Sequence, residues 1–135
     1  MRLMLITDRT QEDVRVQNDK GTYNASDLNR VGEAMLYVAE RLRLCGYAVS
    51  VSPKTDWTEE DIPTPSAMAA YLTALSELRR RFAMMQTTPF VPNDMDMLTF
   101  HEANDIEKIL EDIHFLLTNA AMAWFYSADM FSGEV

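Results

Sequence analysis

The chain has one cysteine in 135 residues, Cys45, so no intrachain disulfide can form. A disulfide-stapled fold is thereby excluded, and the composition fits a protein made in a reducing compartment. Long apolar runs are missing too. The N-terminal stretch holds only Leu3 to Ile6 before Thr7, Asp8 and Arg9. That is too short for the apolar region of a signal peptide or a membrane span, so neither is expected. Basic charge is scarce: 12 Lys and Arg against 21 Asp and Glu leave a net charge of −9. The imbalance is local, because residues 1–46 carry seven charges of each sign while residues 93–135 carry nine acids against one lysine. Such a surface would repel phosphates, which argues against nucleic acid as a partner. No internal repeat, low-complexity tract or compositional break appears. With 47% hydrophobic and 24% charged residues, residues 1–135 read as a single folded domain.

What is present is helical periodicity. Leu28, Val31, Met35, Val38, Leu42 and Cys45 recur at spacings of three and four, which predicts a helix over about 26–45. Ser26 is the expected N-cap, Asp27 suits the positive end of the dipole, and Gly46 is the left-handed stop. A second helix over about 65–86 has Thr64 as N-cap and Pro65 at its first position. Its stripe is Met68, Tyr71, Leu75, Leu78, Phe82 and Met85, and Glu77 with Arg81 is spaced as an outward ion pair. The third, over about 99–127, opens on a Thr99 to Glu102 capping box. It carries two apolar rows, one through Ile106, Ile109, Ile113 and Leu116 and one through Leu110, Leu117, Ala121 and Trp124. A stripe that wide should meet two partners and centre the bundle. The predicted class is mainly α, a three-helix bundle. Residues 1–25 are the hardest to read: Leu3 to Ile6 suggests a short strand that could pair with residues 47–51, and Thr10 to Asp19 a short helix.

Candidate chemistry is thin. Glu111 and His114 have the Glu-x-x-His spacing of di-iron bundles, but such sites need two copies, and the other histidine, His101, has Leu98 three residues before it. The stretch from His101 to Asp105 resembles the start of a zinc-protease helix, but aspartate stands where the second histidine is required. Cys45 falls at a helix C-terminus, where the dipole disfavours a thiolate, so core packing is the preferred reading. Arg79, Arg80 and Arg81 fan over about 200° of a helix and do not converge on one ligand. No cofactor, metal or small-molecule substrate is expected.

Two features point to contacts between proteins. Met95, Met97 and Met130 lie off the stripes, where flexible thioethers suit adaptable interfaces. The C-terminal stretch from Ala123 to Val135 holds four aromatics in thirteen residues. Trp124 fits the core, but Phe125, Tyr126 and Phe131 cannot all face inward at one helix end. Phe125, Tyr126, Met130 and Phe131 are therefore the candidate interface, with a tail folded back on its own domain as the alternative.

Tyr23 to Leu42, Lys54 to Thr64, Leu98 to Leu110 and the closing Trp124-Phe-Tyr-Ser-Ala-Asp-Met-Phe-Ser-Gly-Glu134 together resemble a module of minor structural proteins. These occur in tailed bacteriophages and prophages of Gram-positive gut bacteria, and the resemblance spans about residues 23–135. It implies a noncatalytic virion protein of the tail, baseplate or fibre, made in the bacterial cytoplasm, with other virion proteins or itself as partners and no membrane contact. It carries over no catalytic residues. Two further readings stand beside it: a cytoplasmic helical adaptor binding a basic partner through the acidic third helix, and, more remotely, a small metal-dependent enzyme using Glu111 and His114.

Overall fold

The computed structural model describes residues 4–18, 20–81 and 86–133, with side chains as far as residue 119. Among these residues the chain forms α1 (Gln11–Val16), α2 (Ala25–Leu44), α3 (Pro65–Arg80) and α4 (Phe100–Gly133) and no strand. The three long helices are those the apolar spacing predicts, and α1 falls within the predicted Thr10 to Asp19 segment. Phe82 and Met85, assigned above to the second helix, lie outside the described residues.

Local chemistry fixes the boundaries. α1 opens on a capping box between Thr10 and Asp13, and α3 on Thr64, whose hydroxyl accepts from the Ala67 amide at 3.1 Å, with Pro65 at the first helical position. The predicted Thr99 box is present at α4: the Glu102 amide donates to Thr99 Oγ1 and the Thr99 amide to Glu102 Oε1, each at 3.1 Å. At α2 the predicted cap is corrected. Asn24, not Ser26, is the N-cap, and it forms a capping box with Asp27, whose carboxylate accepts from the Asn24 amide at 2.9 Å. Ser26 already lies inside the helix, its amide donating to Asn24 Oδ1 at 3.0 Å. The other end of α2 is a Schellman stop, with the Gly46 amide on Arg43 O at 3.0 Å, the Tyr47 amide on Leu42 O at 2.9 Å and Gly46 at φ +94°. That turn also corrects the reading of Cys45. The chain leaves the helix after Leu44, so Cys45 sits at the cap and is exposed rather than part of the core.

The expected strand pair does not form among the described residues, because side chains take the backbone groups it would use. Glu107 Oε1 accepts from the Ile6 amide at 3.0 Å, and Arg43 Nη1 donates to Val49 O at 3.1 Å. The alternation read at residues 47–52 is nevertheless real. From Ala48 to Trp57 burial alternates residue by residue, with Val49 and Trp57 buried. The chain is extended there, but it lies against a helix.

Its path sets the topology. Val49 lies at Arg43, Lys54 O lies 2.9 Å from where a Gly32 Cβ would stand, and the Trp57 backbone is gripped by Asn29 through bonds of 2.7 and 2.9 Å. The connector therefore retraces α2 from its C-terminal to its N-terminal end, and glycine at 32 is what lets it pass so close. α3 must then start beside the start of α2. A second crossover follows: Arg79 holds the carbonyls of Pro89 and Thr88, Thr88 bonds Asp112 of α4, and Leu98 returns to the end where Tyr23, Leu28, Pro65 and Met68 surround one groove. All three helices thus run parallel, which needs long connections instead of tight turns.

The core is built from Val31, Met35, Val38 and Leu42 of α2, Tyr71, Leu72, Leu75 and Leu78 of α3, and Ile106, Ile109, Leu110, Ile113 and Leu117 of α4. Each such side chain contributes about 1.5–3 kcal/mol of burial. α4 touches both partners as its double row predicts, but α2 and α3 also touch each other, so the three share the core rather than α4 organising it. Among the described residues no helix is long and apolar enough to cross a membrane.

Candidate functional site

The most concentrated chemistry lies where the N-terminal segment crosses the starts of α2 and α4. Arg9, Asp27 and Glu107 are buried polar side chains, and Glu107, at the edge of the apolar arc of α4, has no exposed surface. Arg9 Nη2 lies 2.7 Å from Glu107 Oε2 and 3.5 Å from Asp27 Oδ1. Arg30, one turn beyond Asp27, completes the ring at 2.7 Å to Asp27 Oδ1 and 2.9 Å to Glu107 Oε1. Two guanidiniums face two carboxylates, so the ring is neutral. Burial works against the charge on Arg30, and the Glu107 and Asp27 carboxylates outweigh it, leaving its pKa above the usual arginine value.

Neutral groups finish the enclosure. Arg9 Nε and Nη1 donate to the carbonyls of Lys20 and Ile6, each at 3.0 Å. Asn104 grips the Arg9 backbone twice, accepting from its amide at 2.9 Å and donating to its carbonyl at 3.0 Å. Alongside, the hydroxyls of Tyr23 and Tyr71 meet at 2.7 Å. Burial raises the pKa of both phenols, so they stay neutral and one donates to the other. Every charge faces an opposite charge, and the cluster ties residues 6–9 across two helices. This chemistry holds a segment in place; guanidiniums are too weakly acidic to exchange protons near neutral pH.

Two clefts flank the clasp. One of about 400 Å³ lies beside Arg9, Lys20, Tyr23 and His101; the other, of about 830 Å³, is the groove between the starts of α2 and α3 and the 93–98 segment that leads into α4.

The residues singled out by sequence are dispersed. Glu111 is exposed, while His114 is half-buried with its ring 5.6 Å from that of Tyr37. Burial and Arg41 lower the His114 pKa below its ordinary value. Among the described residues no group of three His, Cys, Asp or Glu side chains is placed to hold a metal. His101 packs its ring 4.0 Å from that of Phe100. The three arginines diverge as expected: Arg80 and Arg81 pair with Glu77, while Arg79 turns to the 88–90 segment and stacks 4.7 Å over Phe90. Met35 is fully buried, Met68 and Met95 pack partly buried against the core, and Met97 is 89% exposed. Phe125, Tyr126, Met130 and Phe131 fall on α4, but their side chains, like that of Trp124, lie outside the described residues.

The ring of Arg9, Asp27, Arg30 and Glu107 went unread in the sequence because its members are scattered over nearly a hundred positions. One signal was available: Glu107 sits one turn from both Ala103 and Leu110, at the edge of a buried stripe, where an acid requires a cationic partner. Compared with known proteins, the chain matches no family model, no curated protein and no solved structure.

Proposed function

We propose that this chain is a noncatalytic structural component of a bacteriophage particle, associated with the tail, baseplate or fibre, and that it assembles through the C-terminal part of α4. The observation that carries the assembly role is the length of α4 against its partners. The Tyr37 to His114 contact sets the register of the parallel pair α2 and α4. Seven residues further along each, Leu44 ends α2 level with residue 121, whereas α4 continues to Gly133. The last twelve residues of α4 thus extend about 18 Å past the end of α2 at 1.5 Å per residue. α3 stops earlier still, since Arg79 lies at the level of Thr88 and Asp112.

Over residues 122–133 the only charged residue is Asp129, and Trp124, Phe125, Tyr126, Met130 and Phe131 are distributed around the helix by their spacing. A helix apolar on several faces needs neighbours on several sides. The resemblance to phage structural modules, which includes this same closing block, supports a virion as the assembly and as the site where the protein resides.

The test removes residues 125–135 and follows incorporation into particles together with oligomeric state in solution. Loss of incorporation with α2 and α3 still folded supports the reading; unchanged incorporation and unchanged oligomeric state sink the assembly mechanism. Mass spectrometry of purified particles tests the virion assignment separately, and absence of the chain from them overturns it.

A further inference from the structure

We propose that the groove at the N-terminal end of the bundle is a docking site for an extended segment of another protein that carries a bulky apolar side chain flanked by lysine or arginine. The inference is independent of the virion assignment, since the groove lies at the opposite end of α4 from the C-terminal stretch. The groove has a volume of about 830 Å³, and its larger apolar lining residues are Tyr23, Leu28, Met68, Met95 and Leu98, with Pro63, Pro65 and Ala69 beside them. Of the five larger residues, Leu28 is buried and the other four are partly buried, packed against the core. Two of the five are methionines, whose unbranched thioethers repack around differently shaped anchors.

Charge selects the occupant. Among the described residues, the charged side chains lining the groove are Asp94 and Asp96, both exposed, and no lysine or arginine lines it. An apolar floor under an acidic rim matches an apolar anchor with basic neighbours. The aromatic C-terminal stretch of a second copy fits poorly, since no lysine or arginine follows Lys108 in it and Asp129 and Glu134 would meet the acidic rim.

The rim is also preformed. The Asp96 amide donates to Asp94 Oδ1 at 3.0 Å, closing a tight turn. Met97, next along, holds a left-handed φ of +51° with its side chain 89% exposed.

The probes are two twelve-residue peptides of the same apolar pattern, Leu with one Phe, one carrying lysine and the other glutamate at every polar position. They are titrated into full-length protein with 13C-labelled methionine methyls. The expected result is saturable movement of the Met68 and Met95 methyl signals with the lysine peptide and none with the glutamate peptide. Asp94→Asn with Asp96→Asn, which preserves the turn's acceptor, should weaken binding about five- to tenfold and flatten its salt dependence, as loss of two exposed ion pairs implies. Equal response to both peptides, indifference to the double substitution, or signals moving all over the surface would overturn the proposal. So would concentration-dependent movement of the Met68 and Met95 signals without peptide, which would show a second copy in the groove.

Discussion

Replacing Glu107 by alanine should be among the most damaging single substitutions in this chain although it removes no apolar contact. Glu107 is fully buried and accepts from Arg9, Arg30 and the Ile6 amide, at 2.7–3.0 Å. Its removal leaves the Arg9 guanidinium, 2% exposed, with the Lys20 and Ile6 carbonyls but with the longer 3.5 Å contact to Asp27 as its remaining carboxylate contact. Breaking a buried pair from one side costs about 3–5 kcal/mol, because the remaining charge stays desolvated. For a domain of this size that is a fall in Tm of roughly 10–20 °C. Urea unfolding followed by circular dichroism at 222 nm gives the free energy, and amide exchange at Ile6 reports whether the N-terminal segment lets go before the helices do. Replacing both partners, Arg9→Met with Glu107→Leu, should cost far less than the sum of the two single changes, since the paired charges themselves contribute little net stability. A loss below about 1 kcal/mol for Glu107→Ala, a value typical of exposed pairs, would show that water reaches the ring and would refute this account.

Two other measurements address the helix ends and the one histidine at a helix contact. Asn24→Ala should destabilise by about 1 kcal/mol, whereas Ser26→Ala should be close to neutral, because alanine at a true N-cap leaves amides unsatisfied and alanine inside the first turn does not; the reverse order would return the cap to Ser26. For His114, burial and Arg41 favour the neutral ring, so its folded pKa lies below the ordinary 6.5. The unfolded chain therefore binds more protons than the folded one between those two values, and stability falls as pH drops through 6.5 towards the folded pKa and is flat above it. His114→Asn should remove that slope, measured as the difference between variant and parent unfolding curves at pH 5 and pH 8. An identical slope in both would mean that the ring is solvated.

The helices were legible because their signals are local. Stripes through Met35, Leu75 and Ile109 are set by spacing alone, and the caps at Thr64 and Thr99 by residues three apart. Where expectation failed, a correct local signal had been extended by one step. The α2 stripe was carried one turn too far, to Cys45, which is already the cap residue before Gly46 redirects the chain. The period of two at Val49 and Val51 identified an extended chain with one covered face, but nothing in it says whether a strand or a helix provides the cover. Long-range chemistry left almost no trace. The ring pairs Arg9 with Glu107 across 98 positions, and only the misplaced polarity of Glu107 pointed to it. Of the residues proposed as the interface, Phe125, Tyr126, Met130 and Phe131 are placed on α4 in backbone only.

The parallel arrangement explains where the acids went. Three helix N-termini at one end gather partial positive charge, and their C-termini gather negative charge, an arrangement that repels itself unless side chains offset it. Asp27 and Glu102 sit in the first turns of α2 and α4, and Arg41, Arg43, Arg79 and Arg80 in the last turns of α2 and α3. The acid excess after residue 92, which in the sequence reads as an outward face, is thus partly internal: Glu107 closes the clasp, and Asp112 is buried between Thr88 and Lys108 at 2.7 and 2.8 Å. Asp94 and Asp96 stay fully outside near the bundle's N-terminal end, with Glu102 and Asp105 partly exposed beyond them. Parallel packing also separates the two candidate contacts, because the groove sits where α4 begins and the unmatched stretch where it ends. Phe100 and Phe131 are 31 residues apart on one helix, a span of about 46 Å. The two proposed contacts, a groove for a basic segment at one end and the C-terminal stretch of α4 at the other, would make the chain a connector between unlike neighbours, which a single self-associating face would not require.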